Sequence, residues 1–553
     1  MTGIRSNVIY IGGQKISASG NSLYVNDIIV AGVGGGGGVN YLTVTGLAVS
    51  GNLELTGNSN LNPFVSGGKV VFNTFIDGTL PTGQLAGTLI LGNPKAGSAS
   101  SVTRGNGSID LQTSRLLSSQ TSVGNYSAIL GGSNNRVANS GSIIIGGNLN
   151  FNSGNRSLIG NGIQNSIASN ASYSSILNGS GNSSIGSVST IVNGINNFVS
   201  GNNNFIGGGL SNKISGSALQ TTYSFIGNGN NHTVNSTNGA IIAGAGNTAG
   251  YKSLVGNGTN NRSLGNYSAI VNGWNNKSYG SQSVIIGGYN NTISATTAQQ
   301  FIGIGVGNRL SCYNGVILAG GYNKLGQVSS FSSAYNAILQ GRTNIVSGCL
   351  ESSVVNGRNN IISGFCTGSI ILNGRSNYIS GSSHSAIIFG TGNLVQANFA
   401  SAKGNMAEAT RWGEQSFSSF PFNSQRGSAQ KVSLIGQAAT TSEIPVVLLN
   451  GFTTGFFIET GKGFAFTANI FGARSGGADM AQYIRQGIIK NVAGTTSIVG
   501  IVNTIGTDIE SNPLTDVVIT ANDTTDTLRI AVSGVNGQNW CWLAQLEGVE
   551  IKF

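Results

Sequence analysis

One short motif, Ser-x-Ile-x-x-Gly-x-x-Asn, returns at a nearly fixed interval between residues 125 and 405, and this recurrence restricts the fold more than any other feature. It first reads Ser127-Ala128-Ile129-Leu130-Gly131-Gly132-Ser133-Asn134-Asn135, then runs from Ser142 to Asn150 and from Ser157 to Asn165. Anchored on its glycine, the series is Gly132, Gly147, Gly162, Gly179, Gly194, Gly209, Gly229, Gly244, Gly258, Gly273, Gly288, Gly305, Gly320, Gly341, Gly357, Gly374 and Gly390, seventeen copies mostly 15 residues apart. Ile or Val stands three residues before every one of these glycines. Asn stands three after, except where His232 replaces it. A softer half-motif follows, as in Phe198-Val199-Ser200-Gly201 and Tyr378-Ile379-Ser380-Gly381.

A period near 15 is too short for a helical hairpin or a propeller blade, but it fits one coil of a β-solenoid whose strands stack on the next coil about 4.8 Å away. Glycine supplies corners with φ > 0. Asparagine tolerates the left-handed conformation and can pair with the Asn one coil above, while Ile and Val form an internal apolar ladder. A single coil buries too little to be stable, so stability comes from stacking. Seventeen coils predict a rod on the order of 80 Å long.

The flanks differ in kind. Residues 1–68 alternate like strands (Val8-Ile9-Tyr10-Ile11, Leu23-Tyr24-Val25) around a flexible joint, Gly34 to Gly38. The glycine run has no helix start after it, so phosphate binding is not expected there. Residues 69–124, interrupted by Pro81 and Pro94, suggest a small irregular β collar. Residues 406–553 carry three of the four Trp and most of the acidic residues, with strand signals spaced as in a β-sandwich. The expected fold is all-β: an elongated β-solenoid or β-roll rod, an N-terminal β attachment region, and a C-terminal β-sandwich-like knob.

Only 8% of residues are charged, yet the net charge is +10. Between Asp110 and Glu408 the only acidic residue is Glu351. Arg136, Lys213, Arg262, Lys277, Arg309 and Lys324 each directly follow the motif Asn, and Arg342, Arg358 and Arg375 each directly follow the motif Gly. Stacked slots would make basic stripes. These either keep an outward ladder soluble and discourage edge pairing, or meet a polyanion such as an acidic polysaccharide. No nucleic-acid module is visible.

No apolar run reaches 18 residues, and the stretch from Met1 to Asn7 lacks a signal peptide's apolar core, so neither membrane insertion nor secretory export is expected. Cys312, Cys349, Cys366 and Cys541 lack metal-ligand spacing and are expected to be reduced.

The order of parts resembles bacteriophage tail fibre and tailspike subunits, and the repeat resembles the β-roll heads of trimeric autotransporter adhesins, with their Ser-x-Ala-Ile-Gly coils. The chain departs from the adhesins in lacking their signal peptide and membrane barrel. Trp412-Gly413-Glu414 and the closing Trp540-Cys541-Trp542-Leu543-Ala544 resemble terminal domains of virion fibres. The resemblance implies a homotrimer located on the virion and made in the host cytoplasm. Its N-terminus would dock to a tail or baseplate protein, and its knob would bind a host-surface glycan or receptor, or drive trimerisation. A head or baseplate decoration fibre would share the same rod.

Catalysis by paired carboxylates has no basis in the rod, where Glu351 stands alone. His232 and His384 lack partners for a triad or a metal site. In the knob, Asp508, Glu510, Asp516, Asp523 and Asp526 read as solvated loops, with Ca²⁺ ligation at Asp523–Asp526 or a polysaccharide-cleaving pair as alternatives. The expectation is a non-enzymatic chain without metal or cofactor. Candidate receptor contacts are the aromatics Trp274, Tyr289, Tyr322, Trp412 and Trp540. Trp540 and Trp542 are read as alternating across a strand, which would place at least one of them in the core.

Overall fold

The computed structural model describes residues 8–11, 14–19, 22–25, 28–32, 89–90, 105–117, 119–215, 222–294, 298–326 and 335–553. The glycine joint at 34–38 and nearly all of the expected collar up to residue 104 lie outside them. At the N-terminus, Val8–Ile11, Gln14–Ser19, Ser22–Val25 and Ile28–Gly32 pair antiparallel in sequence order.

From Ile109 onward the chain coils. Each coil adds one short strand to each of two parallel sheets. In the first sheet Ala128–Ile129 pairs with Ile143–Ile144, which pairs with Leu158–Ile159, and so on to Gln415–Ser418. In the second, Arg136–Val137 pairs with Phe151–Asn152 and the ladder continues to Glu408–Ala409. The first ladder thus reaches past both 125 and 405, taking in Ile109–Asp110 at one end.

The motif slots divide the work. The Ile or Val three residues before each motif glycine has no exposed surface in any of the seventeen coils, from Ile129 to Ile387. It meets a second inward column from the other sheet, such as Val199, Ile214 and Ile379. Much of the rest of the coil interior is polar, and its asparagines are hydrogen-bonded. Asn261 is typical: its N–H donates to Asn247 Oδ1 (2.9 Å), its Nδ2 donates to the carbonyls of Asn257 (3.1 Å) and Gly273 (2.8 Å), and its Oδ1 accepts the N–H of Asn276 (3.0 Å). The motif Asn therefore binds mainly backbone, within its own coil and in the next. The left-handed residue is its predecessor, as at Asn134 (φ 57°), Asn260 (56°) and Asn359 (58°). At Gly162 (φ 109°) a Cβ would stand 2.0 Å from the carbonyl oxygen of Gly179, so no other residue fits that corner.

His232 fills an Asn slot. Its Nδ1 accepts the N–H of Asn247 (3.2 Å), which leaves the Nε2 proton facing the carbonyls of Asn228 and Gly244. Burial lowers its pKa, and those two carbonyl contacts offset part of the shift.

The knob is a two-sheet sandwich. Its larger sheet continues the rod's first sheet: Gln415–Ser418 pairs antiparallel with Ala429–Thr440, followed in order by Trp540–Lys552, Lys462–Arg474 and Met480–Val492. A smaller sheet, in which Thr527–Ser533 pairs with Asp516–Asn522, Val446–Val447 and Phe456–Phe457, closes over it. Between them lie Phe456, Phe464, Phe466, Tyr483, Trp540 and Trp542. Trp540 is 0% exposed, which corrects its place among the receptor contacts: residues two apart on a strand share a face, so both tryptophans point inward.

Candidate receptor-binding surface

The residue after each motif glycine forms a third, single-residue parallel ladder at a corner of the coil. This ladder joins candidates scattered through the sequence. Trp274 is in register with Tyr289, Tyr289 with Val306, Val306 with Gly321, and Gly321 with Arg342, Arg358 and Arg375 in succession. At about 4.8 Å per coil, these seven rungs span about 30 Å.

The aromatic end of this column is a platform. Trp274 (54% exposed) and Tyr289 (37%) have ring centroids 4.7 Å apart. Tyr322, beside Gly321, takes the left-handed conformation (φ 56°), and the Arg342 guanidinium lies over its ring at 5.6 Å. Arg342, Arg358 and Arg375 are exposed, and none has an ion-pair partner among the described residues. Like charges one rung apart repel by roughly 1 kcal/mol even in water. A bound polyanion would offset that repulsion.

The other basic residues open the second sheet's strands and face outward. Arg262 is in register with Lys277 and Arg309 with Lys324, while Arg136 covers Phe151 and Lys213 covers Phe198 at 5.0 and 5.9 Å. Between these groups stand Thr233, Thr248 and Thr292, so the stripe is broken into clusters.

Trp412 is half-buried in a run of rings that crosses from rod to knob: His384, Phe399, Trp412 and Phe452, each 5.1 Å from the next. Sequence reading found only Trp412 here. The available signal was the left-handed slot one coil apart that holds His384 (φ 55°) and Phe399 (φ 57°), the same slot that presents Tyr173, Tyr223 and Tyr267 elsewhere on the rod.

Beneath that junction is a buried charge network with no counterpart in the sequence reading. Arg411 pairs with Glu414 (3.0 Å) and Glu550 (2.8 Å), and Lys462 pairs with Glu408 (3.1 Å), Glu459 (2.8 Å) and Glu550 (3.1 Å). Burial alone would lower the Arg411 and Lys462 values and raise that of Glu414. The ion pairs outweigh it, holding both cations above and Glu414 below their ordinary values. The network bolts the last coil to the strands of the knob.

The knob carboxylates are engaged one by one. Asp508 takes a two-point pair from Arg485 (2.6 and 2.8 Å), Glu510 accepts from Tyr483 (2.6 Å), and Asp523 and Asp526 accept the Thr496 N–H and hydroxyl. Among the described residues no three His, Cys, Asp or Glu side chains gather as a metal site, and no helix is long and apolar enough to cross a membrane. All four cysteines are free thiols, with Cys541 exposed.

No protein-family model matches the chain, and no curated protein matches it. Solved structures that overlay on it include two phage tailspikes. The tailspike of Acinetobacter baumannii bacteriophage Fri1, described as a capsular polysaccharide depolymerase, is 8% identical over 76% of this chain and 79% of its own, with a TM-score of 0.19. That of Acinetobacter phage vB_ApiP_P1 is 9% identical over 68% of this chain and 82% of its own, again with a TM-score of 0.19. At identities of 8–9% and TM-scores of 0.19, fold and chemistry rest on the chain's own geometry.

Proposed function

We propose that this chain is the subunit of a homotrimeric phage fibre that attaches the particle to its host by binding an anionic surface glycan without cleaving it. The N-terminal region docks to a tail or baseplate protein, the solenoid is a stiff spacer, and the knob nucleates assembly. The observation that carries the reading is the column from Trp274 to Arg375. It supplies aromatic faces for sugar rings and, farther along the same line, a row of cations with no ion pair among the described residues, suited to acidic groups.

The test is binding to an immobilised acidic polysaccharide at several salt concentrations. Replacing Arg342, Arg358 and Arg375 together by Ala is expected to weaken binding at least tenfold and flatten its salt dependence, and Trp274→Ala to weaken it less without changing the salt slope. Unchanged binding by both variants would overturn the assignment of the column. Release of new reducing ends from the polysaccharide would overturn the non-cleaving role.

A further inference from the structure

Through the seventeen coils, one outward column of the rod's first sheet is apolar throughout. The residue just after the inward Ile or Val is Leu, Ile or Val in twelve of the seventeen coils, among them Leu130, Ile145, Val271, Leu318 and Leu339, and Gly in the other five. None is polar or charged. The aliphatic side chains named stand 38–51% exposed. On the second sheet the outward residue, there the one just before the inward one, is mixed: Lys213, Thr233, Thr248, Arg262, Lys277 and Thr292 follow one another as a polar block, with Phe151 and Phe198 before it and Ile361 and Tyr378 after it.

The five glycines are not gaps. On the other side of the inward residue, each is matched by a large apolar group: Gly160 by Leu158, Gly207 by Phe205, Gly227 by Phe225, Gly256 by Leu254 and Gly303 by Phe301. At Gly207 and Gly227 the edge of that phenyl ring lies 3.4 Å from where a Cβ would be, so the ring covers the space the glycine leaves. Where the later residue is aliphatic, the earlier one is often small: Ala128 before Leu130, Ser175 before Leu177, Ala269 before Val271. Side chains surrounded by water have no reason to conserve volume coil by coil. Side chains packed against another surface do, because interiors tolerate neither voids nor overlap.

We propose that this strip is the seam along which further copies of this chain pack side by side, parallel and in register. The inference rests on the self-association in the proposed function, and is independent of the glycan. Three observations select a second copy as the occupant. The strip runs the length of the rod at the coil pitch, so its partner must present an equally long, straight, uncharged face, and the strip itself is one. At about 80 Å by about 7 Å it offers on the order of 550 Å² per chain, which for a pair lies just under the range of specific interfaces. It also continues into the knob. Past Ile388 it meets Phe417 at a shallow depression also lined by Lys403, Lys431, Ile435 and Glu547, then the exposed Leu543, Phe471 and Val549 of the same sheet, which enlarge the contact. With the knob at one end, that continuity holds only if copies run parallel.

The test is the solution mass of the full chain. The unaltered chain is expected at a multiple of 56.3 kDa. The combined variant Val271→Asp, Leu318→Asp, Leu339→Asp should fall to a single chain, while Thr233→Asp, Thr248→Asp, Thr292→Asp on the second sheet should keep the multimer. Because the charged variant can fail to fold, a Leu318→Cys variant in a Cys541→Ser background is oxidised mildly. Parallel, in-register copies give an interchain disulfide at that position, and Thr248→Cys gives none. A multimer that cross-links through Thr248→Cys and not Leu318→Cys would overturn the seam and leave the fibre reading standing. An unaltered chain that runs at 56.3 kDa would overturn both.

Discussion

The rod and the knob are both β structures, but they are held together by opposite means. In the rod each coil touches only its neighbours. Its interior is a pair of aliphatic columns flanked by buried asparagine side chains whose hydrogen bonds are met by backbone of their own coil and of the coils on either side. In the knob the core is aromatic, and strands far apart in sequence pair directly, as Ala429–Thr440 does with Trp540–Lys552. Stability in the rod should be local and additive, as in repeat proteins, whereas the knob should unfold as one unit.

The sharpest way to break this contrast is at the junction. Arg411→Met leaves Glu414 buried without its cation and Glu550 with Lys462 alone, and removing one member of such a network costs about 3–5 kcal/mol. Denaturant unfolding followed by tryptophan fluorescence should show the knob transition shifted by that amount, with the rod's circular-dichroism transition in place. Acid should reach the same bolt. Glu414 and Glu459 are held below their ordinary values, so their stabilisation is complete above about pH 4.5 and is lost as pH falls through their folded values. The rod, with Glu351 as its only carboxylate between Asp110 and Glu408, has almost nothing to titrate there. At pH 3 the knob is expected to loosen first. A rod that melts at the same pH as the knob would contradict the contrast.

Next come matched core truncations. Trp542→Ala should cost about 3–5 kcal/mol and lower hydrogen-exchange protection throughout the knob. Ile241→Ala should cost about 2–5 kcal/mol but lose protection only in the few coils around it. Asn261→Ala is smaller. It strands backbone groups that its side chain satisfies, at about 1–3 kcal/mol, and the loss should again be confined to adjacent coils.

The smallest effect is at His232. Its folded pKa lies below the ordinary 6.5, so its slot is indifferent to pH above that value and destabilised as pH drops from there to the folded pKa, where only the unfolded chain takes up a proton. His232→Asn restores the common residue and should remove that dip, flattening the pH dependence of local exchange rates below about pH 6.5.

The sequence alone determined the coil. The period, the inward Ile or Val, the glycine corner and the place of the asparagine were legible, because in a solenoid each slot meets its own copy one period later; that the asparagine binds mainly backbone and its predecessor takes the left-handed turn was not. Part of the candidate site was legible for the same reason: Arg342, Arg358 and Arg375 share a motif position, and shared position means stacking. What the tertiary structure decided is everything that depends on contacts outside the repeat. Trp274 and Tyr289 hold that same position, but only the structure shows that their rings pack 4.7 Å apart on the column. Trp540 is inside because the smaller knob sheet closes over its face. Arg411 and Glu550 meet although 139 positions separate them. Two-residue alternation tells which side chains share a face; which face is covered is set by the elements that arrive from elsewhere in the chain.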